Sequence, residues 1–492
     1  MTDTDNLRKQ LLKGASSVFV AGMIGYVLMF FFRIILAREY APAEVGLYEM
    51  LTTILSISTV IGGLGLYAGI NRYIPHYESK QEWGKLRGLQ TLIFYVQLLT
   101  STLVAATIFF AAPLLTQLFS FPDIFTYMLR VASLAIPFMV FTKSSTQYLF
   151  AQKHAFLAKL GSQGLHHAIL LVGVVVMRAL ELPILTIAYL LLGAKLLEVT
   201  YYAVTKRIKL QKTPGTQKTF ETKKWFLFSI PLAVSGLLAF FLNWTDNFVI
   251  ATFLSDTDLG VYSIAYSLAN YLFFIPNLFG SIFIPVLTKK YIQDFTAFQK
   301  LFEEVKNGAF LLTAFFGAPL IIFSEQIITF LFGEAYVPGA GPLMIVSVLF
   351  LGANYFYFYQ KFLVLEEKTP YIFWANAFVV VLNIILSIAL ARAYGILGVA
   401  VATGVSKLLV EFAMMVKARS KINSKIGVKT IGLSLVFFGI AVVTYYVTLY
   451  AVPNAKVLLK LIVSGSLYVL ICAYILWKTL DVQHLLVIDR NE

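Results

Sequence analysis

The sequence predicts an all-α integral membrane protein of about 14 transmembrane helices, arranged as two parallel six-helix repeat lobes around a central cleft with two extra C-terminal helices. Three observations lead there. Hydrophobic residues fill 59% of the 492 positions and charged ones only 13%, whereas a soluble domain carries roughly a quarter charged residues. Mean hydropathy is +0.80. Apolar runs of about 20 residues, the length of a helix crossing a ~30 Å hydrocarbon core, recur along the whole chain. Finally, the phrase "AEVGLYEM" at 43–50 returns as "TDLGVYSI" at 257–264.

The expected spans, in order, are 15–36, 45–68, 88–112, 124–142, 160–180, 184–204, 225–250, 259–286, 306–326, 341–364, 371–391, 395–417, 430–450 and 456–478. Irregular backbone facing lipid would leave its N–H and C=O groups unpaired, so each span is expected to be a helix. Their length and lack of alternation exclude a β-barrel. The first is too long for a signal-peptide core and lacks a small-x-small cleavage site, so it is expected to be retained. The single cysteine, Cys472, allows neither an internal disulfide nor a cysteine metal site.

The net charge is +14. Alternate loops assigned to the cytoplasm, beginning with "NLRKQLLK", hold roughly 30 of the 39 Lys and Arg residues, against roughly 5 outside. Both termini are therefore expected to be cytoplasmic. The densest basic runs, 206–224 and 417–429, then face the anionic inner leaflet, and the charge reads as topology anchoring rather than as a nucleic-acid surface.

Gly46 and Gly260 in the two phrases lie 214 positions apart, and other similarities share that offset to within two residues. "LTQLFS" at 115–120 answers "ITFLFG" at 328–333, Arg178 answers Arg392, and "AKLLEVTYYAVTKR" at 194–207 answers "SKLLVEFAMMVKAR" at 406–419. An even number of spans per copy makes the repeats parallel. The expected division is an N-lobe at 1–205, a basic, partly helical or flexible cytoplasmic linker at 206–224, a C-lobe at 225–420, and the last two spans with a cytoplasmic tail at 421–492. In the phrase itself, the acidic residue favours a helix N-terminus and the glycine permits close approach of the first helix.

Ionisable side chains inside spans are costly and mark a functional cavity by default. The repeat matches Arg33, in "MFFFRIILA", with Asp246, in "FLNWTDNFVI". Opposite charges at matching positions of two lobes suggest an outer gate, with Arg33 also suited to bidentate phosphate recognition. Separate snorkelling of each charge to the headgroups is the alternative. Lys195 and Lys407 also match, each with a carboxylate one turn on, Glu198 and Glu411, so an intrahelical pair competes with a cavity-lining role. Arg130, in "YMLRVASLAIPF", has no sequence-near carboxylate and is a further candidate anion contact. His166 and His167 could titrate or bind a sugar, or simply be satisfied interior histidines. Substrate-binding candidates are therefore Arg33, Arg130, Lys195 and Lys407, with Arg33 and Asp246 as gate residues.

Signatures of zinc hydrolases, redox dithiols, P-loops and nucleophile elbows are missing from the sequence. Asp256 and Asp258 in "DTD" resemble the acidic pair of metal-dependent glycosyltransferases, but they fall in the repeated phrase, where helix capping is explanation enough. No catalytic residue, metal or cofactor is expected.

Four phrases in register, "ILAREYAPAEVGLYEML", "FVIATFLSDTDLGVYSIAYSL", "FLFGEAYVPGAGPLMI" and "YGILGVAVATGVSKLLVE", resemble those of the polysaccharide transporter family. That family contains O-antigen and teichuronic acid flippases and belongs with multidrug and toxin extruders and the lipid II flippase. The resemblance runs from about residue 10 to about residue 420. It implies alternating access by two six-helix lobes, moving a polyprenyl-pyrophosphate-linked oligosaccharide from the inner to the outer leaflet of the cell membrane. The implied partners are that substrate, membrane lipids and polysaccharide polymerase machinery, with a monomer as the transporting unit. Cleft arginines of the first helix matter in lipid II flippases, and Arg33 is the candidate here, in a stretch that differs from theirs. Residues 15–36 contain no Asp or Glu, unlike drug extruders that couple to a cation through the first helix. Export of drugs or other cell-wall precursors, and a membrane glycosyltransferase using Asp256 and Asp258, are the competing readings.

Overall fold

A computed structural model describes residues 3–209, 217–422, 427–451 and 457–479. Residues 210–216 of the expected linker, 423–426 of the second basic run and the tail beyond 479 lie outside the described residues. The described chain is helical, with no strand among its residues.

The first helices are α1 (Asp3–Glu39), α2 (Pro42–Gly63), α3 (Leu66–Ser79), α4 (Trp83–Leu118), α5 (Ile124–Ser133), α6 (Ile136–Ala151) and α7 (Ala155–Lys159). A single π-helical turn over Leu160–Leu165 leads into α8 (His166–Ala179) and α9 (Thr186–Lys209). Then come α10 (Thr222–Phe253), α11 (Asp256–Asn270), α12 (Phe274–Gln293), α13 (Phe295–Ile322), α14 (Ser324–Phe332) and α15 (Ala340–Leu365). The chain ends in α16 (Thr369–Ala418), α17 (Val428–Ala451) and α18 (Val457–Thr479).

Among the described residues, twelve helical stretches are long and apolar enough to cross a membrane, and the pair α5 and α6, bent by 44°, adds a thirteenth. The 50 residues of α16 would span about 75 Å at 1.5 Å per residue, more than twice a ~30 Å core. Gly395, at φ 59° and ψ −142°, breaks it. Only a residue without Cβ takes that conformation cheaply, so the break falls where the sequence supplies one. With α16 counted as two spans, the described helices meet the expected 14.

The helices pack into two compact units, one of residues 1–263 with 376–392, the other of residues 264–375 with 393–492. In the second, α17 and α18 pack on α13 and α15 around Phe310, Phe437, Tyr468 and Cys472, and the Tyr468 hydroxyl donates to the Phe315 carbonyl at 2.8 Å. Cys472 is fully buried.

Within the first unit the expected linker is only partly loop. Residues 206–209 continue α9, 222–224 open α10, and 217–221 are pinned to α4. The Thr219 N–H donates to the Gly84 carbonyl at 3.0 Å. Glu221 gathers Lys224 at 2.8 Å, the Tyr77 hydroxyl at 2.6 Å and Lys85 at 3.2 Å. Hydrogen bonds from Lys224 and then Tyr77 hold the Glu221 carboxyl down at about 2, while burial and the bond to Glu221 push the Tyr77 hydroxyl up to about 12. The Trp225 indole N–H donates to the same Tyr77 oxygen at 2.9 Å.

The repeated phrases meet each other. A Cβ on Gly46 would lie 2.0 Å from the Asp256 carbonyl oxygen, and one on Gly260 would lie 1.9 Å from the Pro42 carbonyl oxygen. Each glycine therefore approaches the residue four positions before its own counterpart, a reciprocal contact between the N-termini of α2 and α11. The close approach expected for this glycine is thus made to the other copy of the phrase rather than to the first helix. Repeat matching establishes equivalence between two segments and carries no information about their contact. The acidic residues do cap these helices. The Glu44 carboxylate accepts from the Ala41 N–H at 3.0 Å, and Asp258 accepts from the Ser255 N–H at 3.2 Å and hydroxyl at 2.7 Å.

Candidate functional site

Arg33 is carried by α1 in a run of aromatic and branched residues that leaves no other charge on that stretch of helix. Its guanidinium Nη1 stands 2.8 Å from Glu49 Oε1 on α2, a carboxylate 3% exposed. Glu49 lies one turn past Gly46, inside an otherwise apolar span. One turn further on, the Asn247 side chain of α10 donates to the Thr53 hydroxyl at 2.7 Å, and that hydroxyl donates to the Glu49 carbonyl at 2.7 Å. Asp246, the neighbouring residue, is 5% exposed and accepts from the Tyr262 hydroxyl at 2.5 Å. Tyr262 is the tyrosine of the second phrase, and Tyr48, its equivalent in the first, lines the same cavity as Arg33.

That cavity has a volume of about 270 Å³ and lies wholly within the first unit. Arg33, Tyr48, His166, His167, Lys195 and Trp244 give it its polar and aromatic character, over a floor of Met and Leu side chains. The π-helical turn before α8 shifts the helix register and precedes the two histidines directly. Lys195 on α9 reaches Glu198 at 2.6 Å, and His166 Nδ1 lies 3.6 Å from the same carboxylate. The intrahelical pair and the cavity-lining role, set out above as alternatives for Lys195, coexist.

Each cavity cation thus comes with a buried carboxylate: Glu49 for Arg33 and Glu198 for Lys195, both 2% exposed. Two unit charges about 3 to 4 Å apart attract by about 4 kcal/mol at an effective dielectric of 20. That is enough to hold the pairs yet within what a doubly charged competitor can replace. Arg33 and Lys195 give the cavity two cationic donors toward an anion.

The other candidates lie elsewhere. Arg130, in the last turn of α5, does not line this cavity; its guanidinium sits over the Phe109 ring at 5.5 Å. Lys407 belongs to the second unit, 3.6 Å from Glu411 and 5.1 Å from the Phe273 ring centroid. Arg33 pairs with Glu49, and Asp246 accepts from the Tyr262 hydroxyl. Asp256 and Asp258 are engaged in capping at the start of α11. Among the described residues no His, Cys, Asp or Glu cluster could hold a metal ion.

The sequence reading missed Glu49, although a carboxylate inside a span is the same signal that singled out Arg33. It also left Lys206 to the linker and Lys306 at a span edge. Lys206 lies within α9, and Lys306 is 1% exposed in α13 beside the Tyr355 and Tyr359 rings.

Solved structures of multi-helix membrane transporters share this all-helical fold. The lipid II flippase MurJ in an inward closed conformation superposes with a TM-score of 0.70 at 17% identity, covering 94% of this chain and 99% of that one. An inward-facing multidrug resistance MATE family transporter of the MOP superfamily gives 0.63 at 16% identity, covering 83% and 98%. The chain belongs to the polysaccharide biosynthesis protein family, which it matches over residues 11–290, more than half its length. It is also similar to the probable low-salt glycan biosynthesis flippase Agl15 of Haloferax volcanii, 25% identical over 187 residues. That match spans 37% of this chain and 39% of the relative. The family resemblance drawn from the four phrases and the all-α membrane fold both stand.

Proposed function

We propose that this protein is an alternating-access flippase that carries a polyprenyl-pyrophosphate-linked oligosaccharide from the cytoplasmic to the outer leaflet, for cell-surface polysaccharide synthesis. The observation that carries this reading is the Arg33 and Lys195 cavity in a chain of this family. An ionised headgroup cannot cross hydrocarbon unaided, because its desolvation is prohibitive. In this reading the pyrophosphate takes Arg33 and Lys195 as partners in place of Glu49 and Glu198, with the lipid tail left in the bilayer. A volume of about 270 Å³ is below the ~300 to 1,000 Å³ of pockets that enclose a drug-sized ligand. It suits the pyrophosphate alone, and the sugars require an opened state.

Differential affinity of the cargo for two arrangements of the helices shifts their populations. Arg33 and Asp246 form the gate of that exchange, with Glu49 holding Arg33 in one state. Arg130 and Lys407 serve as secondary anion contacts. The protein works in the plasma membrane with both termini in the cytoplasm, as a monomer delivering to polysaccharide polymerase machinery.

The test is mass spectrometry of lipid-linked sugars in cells lacking the gene, with sidedness probed by a membrane-impermeant oxidant. Flipping predicts a completed oligosaccharide accumulating on the inner leaflet, restored to the outer face by the wild-type gene and not by Arg33→Ala with Lys195→Ala. A truncated sugar chain would indicate a missing transferase step, and unchanged lipid-linked sugars would indicate export of another cargo.

A further inference from the structure

A second cavity, also of about 270 Å³ and also within the first unit, shares no lining residue with the one described above. Its polar end is Lys206, one turn before the end of α9. The ammonium lies 5.1 Å from the Phe141 ring centroid and 5.2 Å from that of Tyr148, and it donates to the Ser145 hydroxyl at 3.0 Å. Among the described residues no carboxylate comes within 4 Å of it. The adjoining residues 210–216, "LQKTPGT", contain no acid to supply one. This sets Lys206 apart from Arg33, Lys195 and Lys407, each of which has its own carboxylate.

The other polar groups of the pocket already serve one another. The Gln90 amide donates to the Tyr148 hydroxyl, and the Ser144 hydroxyl donates to the Gln97 side-chain Oε1 at 2.7 Å. An ammonium carries three donors, and Ser145 takes one. What the pocket lacks is an anion.

The remaining walls say where that anion comes from. Ile70, Ile74, Leu89 and Ile93 form an apolar flank, and Phe94 lies at the rim with 47% of its surface exposed. Tyr95, Leu98 and Leu99 on the same stretch of α4 are exposed as well, an apolar exterior of the kind that faces acyl chains. The pocket therefore joins a half-buried cation to a lipid-facing apolar surface. That is the shape of an amphiphile with a phosphate at its polar end.

We propose that the Lys206 pocket binds a phosphate anion, supplied by an anionic membrane phospholipid whose acyl chains lie along Phe94 and the outer face of α4. Aromatic rings on two sides and the Ser145 hydroxyl hold the ammonium in place, so the headgroup meets a fixed donor rather than a flexible surface lysine. The size of the pocket admits a headgroup and excludes a whole lipid.

The experiment is native mass spectrometry of the full-length protein released from vesicles of phosphatidylglycerol and phosphatidylcholine, alongside titration of the detergent-solubilised protein with inorganic phosphate. Loss of one hydrogen bond to a charged phosphate corresponds to about tenfold in affinity, so Lys206→Gln is expected to lower phosphatidylglycerol retention by about that factor, with phosphatidylcholine unaffected. Lys206→Arg keeps the charge and is expected to keep the preference, which separates loss of the site from loss of the fold. Lys206-dependent binding of inorganic phosphate without any lipid preference would keep the anion site and assign it a soluble source. If Lys206→Gln, with a wild-type melting profile, leaves both kinds of binding unchanged, the proposal is overturned. None of these outcomes depends on what the first cavity transports.

Discussion

Replacing Gly46 by Ala puts a methyl group where the Asp256 carbonyl oxygen already stands. The new Cβ would lie 2.0 Å from that oxygen and 2.9 Å from its carbon, against an ordinary C···O contact of about 3.3 to 3.6 Å. The N-termini of α2 and α11 must therefore separate by about 1.3 Å or more. The obstacle is backbone at the start of a helix, not the end of a flexible side chain, so it cannot rotate away. Overpacking of this kind costs about 1 to 3 kcal/mol, and backbone resistance sets the expectation near 3 kcal/mol. A chain this long is expected to lose about 1 to 2 °C per kcal/mol. Gly46→Ala should thus lower the apparent melting temperature of the detergent-solubilised protein by about 3 to 6 °C. Gly260→Ala should do the same, since its Cβ meets the Pro42 oxygen at 1.9 Å. The double variant should fall short of the sum, because the gap opened by one methyl group admits the other. Gly439→Ala is the control. Nothing lies within 4 Å of a Cβ there, and alanine in mid-helix is worth about 0.5 to 1 kcal/mol over glycine. If Gly46→Ala melts no lower than Gly439→Ala, the reciprocal contact does not hold these helices together.

Further outcomes are expected. Arg33→Ala leaves the Glu49 carboxylate buried without its cation and should destabilise by about 3 to 5 kcal/mol, whereas Arg33→Ala with Glu49→Gln should recover most of that loss in a double-mutant melting cycle. A charge exchange, Arg33→Asp with Asp246→Arg, should restore part of the flipping lost in either single variant, and a doubly dead protein would remove the gate. The Glu221 carboxyl, held at about 2 against an ordinary 4.5, stabilises the linker contact above pH 4.5, and that contribution is lost as pH falls from there towards 2. Limited proteolysis between pH 5 and pH 3 should show cleavage within 210–221 rising in the wild type, while Glu221→Gln should be cleaved readily at both.

Much of the fold was legible because lipid leaves the backbone so few options. Among the described residues the 14 apolar runs are helical apart from short breaks such as 64–65 and 134–135, and the break in α16 falls at the glycine that opens the twelfth predicted span. The Lys195 and Glu198 pair was legible too, since one helical turn separates them in any helix. Glu49 was not found as the partner of Arg33, because a pair formed between successive helices depends on their rotation about their own axes, which hydropathy does not set. Lys206 was assigned to the linker because charge was taken to end the helix, whereas α9 runs on past the end of its apolar stretch. The π-helical turn before His166 had no sequence signal at all, and with it went the aim of the two histidines.

The meeting of Gly46 with Gly260 also bears on ancestry. Had a half-length forerunner of this chain associated as a parallel pair, the glycine of one copy would have faced the same glycine in the other across the two-fold axis. At such a position one mutation is felt twice, so selection against a side chain there would have been strongest before the halves were fused. Two copies within one chain can diverge independently, and the sequence shows divergence nearly everywhere, down to an arginine matched by an aspartate. At this contact both copies of the phrase have kept the residue with no side chain.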